Sequence, residues 1–306
     1  MNAALLSRRS LVASALAFSA AGTFAAAPVV VSSKLDLEGA LLGEMMLIAL
    51  RRAGVPAVAN LQIGPTAILR QALISGAVDL CVEYTGNAAF FFHREDDPVW
   101  RDARAGFLRA AMLDLKANSL VWLDPAPADN SWVIAVPNAL AREQSLSTLE
   151  DFATWVNSGA RAKLAASAEF VESEAGLPAF EAAYHFHLSA DQLLVLSGGE
   201  TTATMKAASA GISGVNAAMA YATDGALDAL DLRALEDPRR AEPVYAPAPV
   251  IRAGTLAAYP QIRGALAPVF AGLDLKTLRA LNERIAVEGE DAALVARDYM
   301  MEKSLL

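Results

Sequence analysis

The chain is expected to fold as an α/β protein of two lobes joined by a hinge. Three observations predict this. Strand-like and helix-like segments alternate along nearly the whole length, the pattern of a largely parallel sheet covered by helices. The alternation stops at the turn-rich segment 124–130 and restarts at Trp132. The chain then crosses back near 221–232, so two connections join the two groups of elements. The expected layout is a leader at 1–27, a first lobe from 28–130 with 226–306, and a second lobe from 131–225. Lobes on a hinge can close over a small ligand held between them.

The elements follow in order. Residues 29–33 read as a strand. Asp36 is placed to cap a helix whose apolar positions Leu37, Leu41, Met45 and Ile48 recur every three or four residues, and Gly54 ends it. Residues 58–63 form a second strand. Gly64 opens a turn into a helix that stops at Gly76, and an apolar strand then carries Glu83, Tyr84 and Thr85 to its C-terminal end. Ligands of open α/β sheets bind beyond that end of the strands. An acid and an aromatic there suit a cation.

A charged helix is expected near 97–116 and a strand at 120–123. The second group opens with a strand at 132–136. Ser147-Thr148-Leu149-Glu150 reads as a capping box before a helix at 149–157. A short strand at 163–166, a helix at 178–187, a helix starting at Thr201 or Thr202 and a strand at 215–221 follow. The segment 233–249 is rich in proline and charge. A strand at 249–252 and three helices, the last at 291–303, complete the chain.

Composition narrows the function. Of 306 residues 55% are apolar and 19% charged, which excludes disorder and permits a sizeable core. The net charge of −9 repels a polyanion, so nucleic acid is not an expected partner. Arg8 and Arg9 precede an uncharged run from Ser10 to Ser33, with Ala25 and Ala27 offering a small-residue cleavage signal. This reads as an export peptide, of twin-arginine type by Ser7-Arg8-Arg9-Ser10-Leu11, and predicts a periplasmic location. The alternative is a membrane anchor, but Ala, Ser and Gly insert weakly. After Ser33 no apolar run is long enough to span a bilayer. Cys81 is the one cysteine, so the chain has no internal disulfide, and its apolar strand predicts an inert thiol.

Catalytic and cofactor signals are weak. The sequence has no G-x-S-x-G, phosphate loop or G-x-G-x-x-G, and no cofactor is expected. His185 and His187 are two apart, which separates them on a helix, and His93 lies in an acidic turn. Gly198 and Gly199 before Thr201 offer amides at a helix start that would suit an anion.

Taken together in order, Ser33-Lys34, Glu44, Gly64-x-Thr66, Leu69-Arg70-Gln71-Ala72-Leu73, Glu83-Tyr84-Thr85-Gly86 and Trp122-Leu123-Asp124-Pro125-Ala126-Pro127 resemble the osmoprotectant-binding family. Tyr221-Ala222-Thr223-Asp224-Gly225, Ala248-Pro249-Val250-x-Arg252, Tyr259-Pro260 and Val287-Glu288-Gly289 extend the resemblance to most of the chain. These are solute-binding proteins that deliver quaternary amines such as glycine betaine and choline to an ABC permease and its ATPase. The resemblance implies the type II periplasmic-binding fold, a monomer, and an aromatic box around the methylated ammonium. Carried over by position, Tyr84, Trp132 and Tyr221 are box walls, and Lys34, Asn87, Glu169 and Thr223 complete the expected binding set. Trp132 stands where a tyrosine is usual, and Asn87 where a threonine is common. Ser173 occupies the position at which many members carry an arginine for the ligand's carboxylate, and 205–214 lacks a tyrosine often found there.

The chemistry fits those residue types. A quaternary ammonium has no N–H, so it is read by aromatic faces at roughly 0.5–2 kcal/mol each. Three rings supply at most about 6 kcal/mol, short of the ~8 kcal/mol of micromolar binding. Lobe closure or a bond from Lys34 to the ligand's tail is then required. Two other readings compete: the same fold holding an amino acid or a non-methylated amine, and a hydrolase drawing on the Ser, His and Glu content.

Overall fold

The computed structural model describes residues 27–196 and 201–306. The export signal around Arg8, Arg9, Ala25 and most of the leader, and the glycine pair Gly198-Gly199, lie outside the described residues. The first lobe begins with β1 (Val29–Lys34), α1 (Leu37–Arg52), β2 (Ala57–Gly64), α2 (Thr66–Ser75) and β3 (Leu80–Tyr84). The short helix α3 (Asn87–Phe91), then α4 (Ala103–Asn118) and β4 (Leu120–Trp122), follow. The second lobe contains β5 (Trp132–Pro137), α5 (Asn138–Gln144), α6 (Leu149–Asn157), β6 (Leu164–Ser167), α7 (Ala168–Glu172) and α8 (Leu177–Tyr184). It continues with β7 (Leu193–Leu196), α9 (Thr201–Ser209), β8 (Ala217–Tyr221), α10 (Ala226–Ala229) and β9 (Leu232–Ala234). The chain returns to the first lobe with β10 (Pro247–Arg252), α11 (Ala253–Ala258), α12 (Gln261–Ala271), α13 (Leu275–Ala286) and α14 (Ala292–Glu302).

Each lobe is built on a five-stranded sheet, in the orders β2-β1-β3-β10-β4 and β7-β6-β8-β5-β9. In each sheet one strand runs against the rest: β10 is antiparallel to β3 and β4, and β5 to β8 and β9. These are the strands that enter each lobe from a crossing. The crossings run side by side. Ala126 N–H donates to the Pro247 carbonyl at 2.8 Å, Asn130 N–H to Tyr245 at 3.0 Å, and the Ser131 hydroxyl to Pro243 at 3.0 Å. Two paired connections between the lobes are the arrangement of a hinge.

The second crossing differs from the expected one. Leu232–Ala234 pairs with β5, so the second sheet extends beyond residue 225 and the return connection lies between Ala234 and Pro247. Three residues are too short to display a period of two, and their charged surroundings read as linker. Other differences are local. Thr148 caps α6 with Asp151 as its reciprocal partner, one residue along from the expected box. Asp97 caps a single 3-10 turn and Asp102 caps α4. His185 adopts a left-handed conformation that ends α8, placing His187 beyond the helix beside Glu181. Four helices rather than three follow β10.

Asp36 caps α1 as expected, accepting from Gly39 N–H at 2.6 Å. Gly39 is required there, because a Cβ would stand 2.8 Å from the Lys34 carbonyl. That close approach seats the start of α1 on the end of β1 and brings Glu38 toward β3. The core of the first lobe packs Leu41, Leu42, Met45 and Met46 of α1 against Phe270, Leu278, Val295 and Tyr299. On the other face Leu69, Leu73, Trp100, Trp122 and Val250 form a second cluster. In the second lobe Phe152, Phe170 and Phe180 fill the centre, with Trp132 and Tyr221 at its margin. Cys81 is buried, and burial pushes its thiol up, so it is an inert core residue. No described helix is long and apolar enough to cross a membrane.

Candidate functional site

The C-terminal ends of β1, β3, β6 and β8 and the start of β5 carry the candidate side chains. In the first lobe Glu83 is a hub. Its Oε1 accepts from Lys34 Nζ at 2.7 Å, from Asn87 Nδ2 at 2.7 Å and from Tyr84 N–H at 2.8 Å. The Lys34 ammonium also stands 4.5 Å from the centre of the Tyr84 ring. Tyr84 is 7% exposed. It is therefore less open than a free-standing wall, with one face covered by the chain's own cation.

The Tyr84 hydroxyl donates to Glu38 Oε1 at 2.6 Å. Glu38 also accepts from Asn282 Nδ2 at 2.7 Å and from Asn130 Nδ2 at 3.3 Å. Burial raises the Glu38 pKa, and the bonds from Tyr84, Thr223 and Asn282 oppose the rise. Asn130 Oδ1 accepts from the Thr223 hydroxyl at 2.7 Å, and the Thr223 carbonyl accepts from Asn282. Thr223, named in the expected binding set, is buried among these partners at the lobe junction. The network joins α1, β3, the first crossing, α13 and the loop after β8. Tyr84→Phe removes the donor and leaves a buried acceptor short, so thermal or urea unfolding should show a loss of about 1–3 kcal/mol.

In the second lobe Trp132 and Tyr221 are opposite each other on β5 and β8, which is why they meet. Their rings stack 6.4 Å apart at 24°. Phe170, held by the Ser167 cap of α7, meets Trp132 edge-on at 5.4 Å. The buried Nε1 of Trp132 lacks a well-formed hydrogen bond, although the Tyr221 hydroxyl is close enough to feel it. Burial, then the charges of Glu169, Asp224 and Asp36, push the Tyr221 phenol up to about 12. Burial, then Glu38 and Asp36, hold the Tyr84 phenol well above its usual range. Asp36 lies in the loop after β1, and its charge adds to the rise of both phenols. Glu169 is exposed on α7 at the same margin, and Ser173 ends that helix.

Sequence reasoning missed Tyr245. It lies on the second crossing, where Tyr245 N–H donates to Asp129 Oδ1 at 2.8 Å. Its ring lies on Gly86, where a Cβ would stand only 2.8 Å away. Burial, then the neighbouring Glu242, Tyr221, Asp129 and Glu169, push its phenol up. The signal was present, an aromatic in the hinge segment opposite the glycine of Glu83-Tyr84-Thr85-Gly86, but only the fold shows that the two meet. Among the described residues no group of three or more His, Cys, Asp or Glu side chains is placed to hold a metal.

Two α/β lobes joined by paired crossings are the architecture of a protein that encloses a small solute. The comparisons agree. Residues 27–302 match the family model described as the substrate binding domain of ABC-type glycine betaine transport systems. The chain is 52% identical over 279 residues to the glycine betaine-binding protein YehZ of Escherichia coli K12, covering 91% of this chain and 92% of that one. It superimposes on the structure of apo YehZ with a TM-score of 0.80, covering 92% of this chain and all of that one. A glycine betaine/carnitine/choline ABC transporter structure, 18% identical, gives a TM-score of 0.78 over 90% of this chain and 99% of that one, and shows the same fold. The chain belongs to the family of ABC-type glycine betaine substrate-binding domains, a family of transport proteins rather than enzymes whose members work outside the cytoplasm with a permease and an ATPase.

Proposed function

We propose that this chain captures a quaternary amine, glycine betaine or a close relative such as choline, in the cleft and delivers it to an ABC permease. The observation that carries the reading is the stacked Trp132–Tyr221 pair, backed by Phe170, at the paired ends of β5 and β8. A permanently positive head with no N–H is held by such faces and by little else. Tyr245 completes the aromatic set. Lys34, Asn87 and Glu169 line the margin as tail or head contacts. The protein acts as a periplasmic monomer, exported by its leader. The 52% identity to a glycine betaine-binding protein supports the choice of ligand class over an amino acid.

Isothermal titration against glycine betaine, choline and carnitine tests the reading. Heat of saturable binding to at least one is expected, and folded protein that is silent to all of them ends it. Trp132→Ala should weaken binding of the ammonium ligand by about 1–2 kcal/mol. An unchanged affinity would move the head group away from this pair.

A further inference from the structure

The Lys34–Glu83 contact bears on what the site reads beyond the ligand's head. Lys34 is the one basic side chain of the expected binding set, and a carboxylate tail would need its charge. That charge is already engaged. Its ammonium is 2.7 Å from Glu83 Oε1, with the two side chains 11% and 3% exposed. The same oxygen takes one amide hydrogen of Asn87 at 2.7 Å and the Tyr84 N–H at 2.8 Å, so the carboxylate is clamped from three directions. Little water surrounds the pair, and opposite charges this close cancel most of each other's field at a third group. An arriving carboxylate meets a dipole rather than a cation.

We infer that Glu83 is a specificity-determining residue of the quaternary-amine site: by holding Lys34 it damps the attraction for an anionic tail, so that the site discriminates among ligands by the ammonium head and only weakly by the charge of the tail. This rests on the functional reading above and names a control of that same site. Glu83 touches Lys34, Asn87 and the Tyr84 backbone, so it acts on the tail through Lys34.

The test uses the ratio of glycine betaine to choline affinity, two ligands with one head and differently charged tails, measured by titration calorimetry. Glu83→Gln keeps the shape and an acceptor oxygen while freeing the Lys34 charge. The ratio should rise about tenfold, the size of one charge-assisted bond. In the Lys34→Met/Glu83→Gln double variant it should fall back toward the wild-type value. Glu83→Asp, which draws the carboxylate back by one methylene, is the second variant, with a rise of about threefold on the same scale. A ratio within twofold of wild type in folded Glu83→Gln or Glu83→Asp protein overturns the inference. So does loss of both ligands by folded variants, which would make Glu83 a support of the whole site. Silence of the wild-type chain to both ligands would instead overturn the functional reading itself.

Discussion

Arg70→Ala is expected to destabilise the first lobe by about 3–5 kcal/mol, the cost of leaving a buried charge without its partner. Arg70 Nη1 and Nη2 each donate to one oxygen of Asp114, at 2.7 and 2.6 Å, a two-pronged pair between α2 and α4. Asp114 is fully buried and also accepts from Trp122 Nε1 and Asn118 Nδ2, both at 2.8 Å. The guanidinium stands 4.3 Å from the Phe91 ring. Truncation at Arg70 removes the cation and opens a gap while the carboxylate stays out of water. Urea unfolding followed by tryptophan fluorescence measures the loss, since Trp100 and Trp122 report on this cluster. Replacing both partners by apolar residues of similar volume should cost far less. A single-variant loss below 1 kcal/mol would mean that the pair contributes little.

Glu242→Gln should do the opposite and stabilise the protein, increasingly so as pH rises. Glu242 lies on the second crossing, 4% exposed, and neither carboxyl oxygen has a hydrogen-bond partner. Burial, then the neighbouring charges of Asp237 and Asp129, push its pKa up to about 9, with Arg101 opposing. The unfolded chain releases this proton near pH 4.5. Between those values the native state holds one proton more than the unfolded state, so stability falls with rising pH at up to about 1.4 kcal/mol per unit. The contribution levels off above about pH 9. Glutamine is neutral throughout and escapes this penalty. Variant and wild type should match below pH 4.5, differ by about 3 kcal/mol at pH 7, and differ most near pH 9. Glu38 and Asp129, also raised by burial, add to the slope in both proteins and cancel in the comparison. A gap that stays constant from pH 5 to pH 9 would show that Glu242 does not titrate in this range.

The ligand side of the molecule was legible wherever one residue type performs one task. Asp36 before an apolar helix, Gly76 at a helix end and Glu83-Tyr84 at the end of an apolar strand each took their expected place, because caps, left-handed turns and strand periods are local. The pairing of Trp132 with Tyr221 was not legible in this way. Eighty-nine positions apart, they meet because β5 and β8 pair in one register. Lys34 illustrates the limit most clearly. Its sequence position suggested a free cation for a ligand tail, and only the fold shows that Glu83 already holds it.

The amino-acid order alone determined the class: an acidic, α/β, two-lobe chain with aromatic residues at strand ends. Those features follow from composition, period and capping, which act over a few residues. Tertiary structure alone decided which distant residues meet, which are buried by the chain's own partners, and where the second connection runs. Contacts between distant segments depend on strand register and lobe packing, and a charge's effect depends on what else stands within a few ångströms of it.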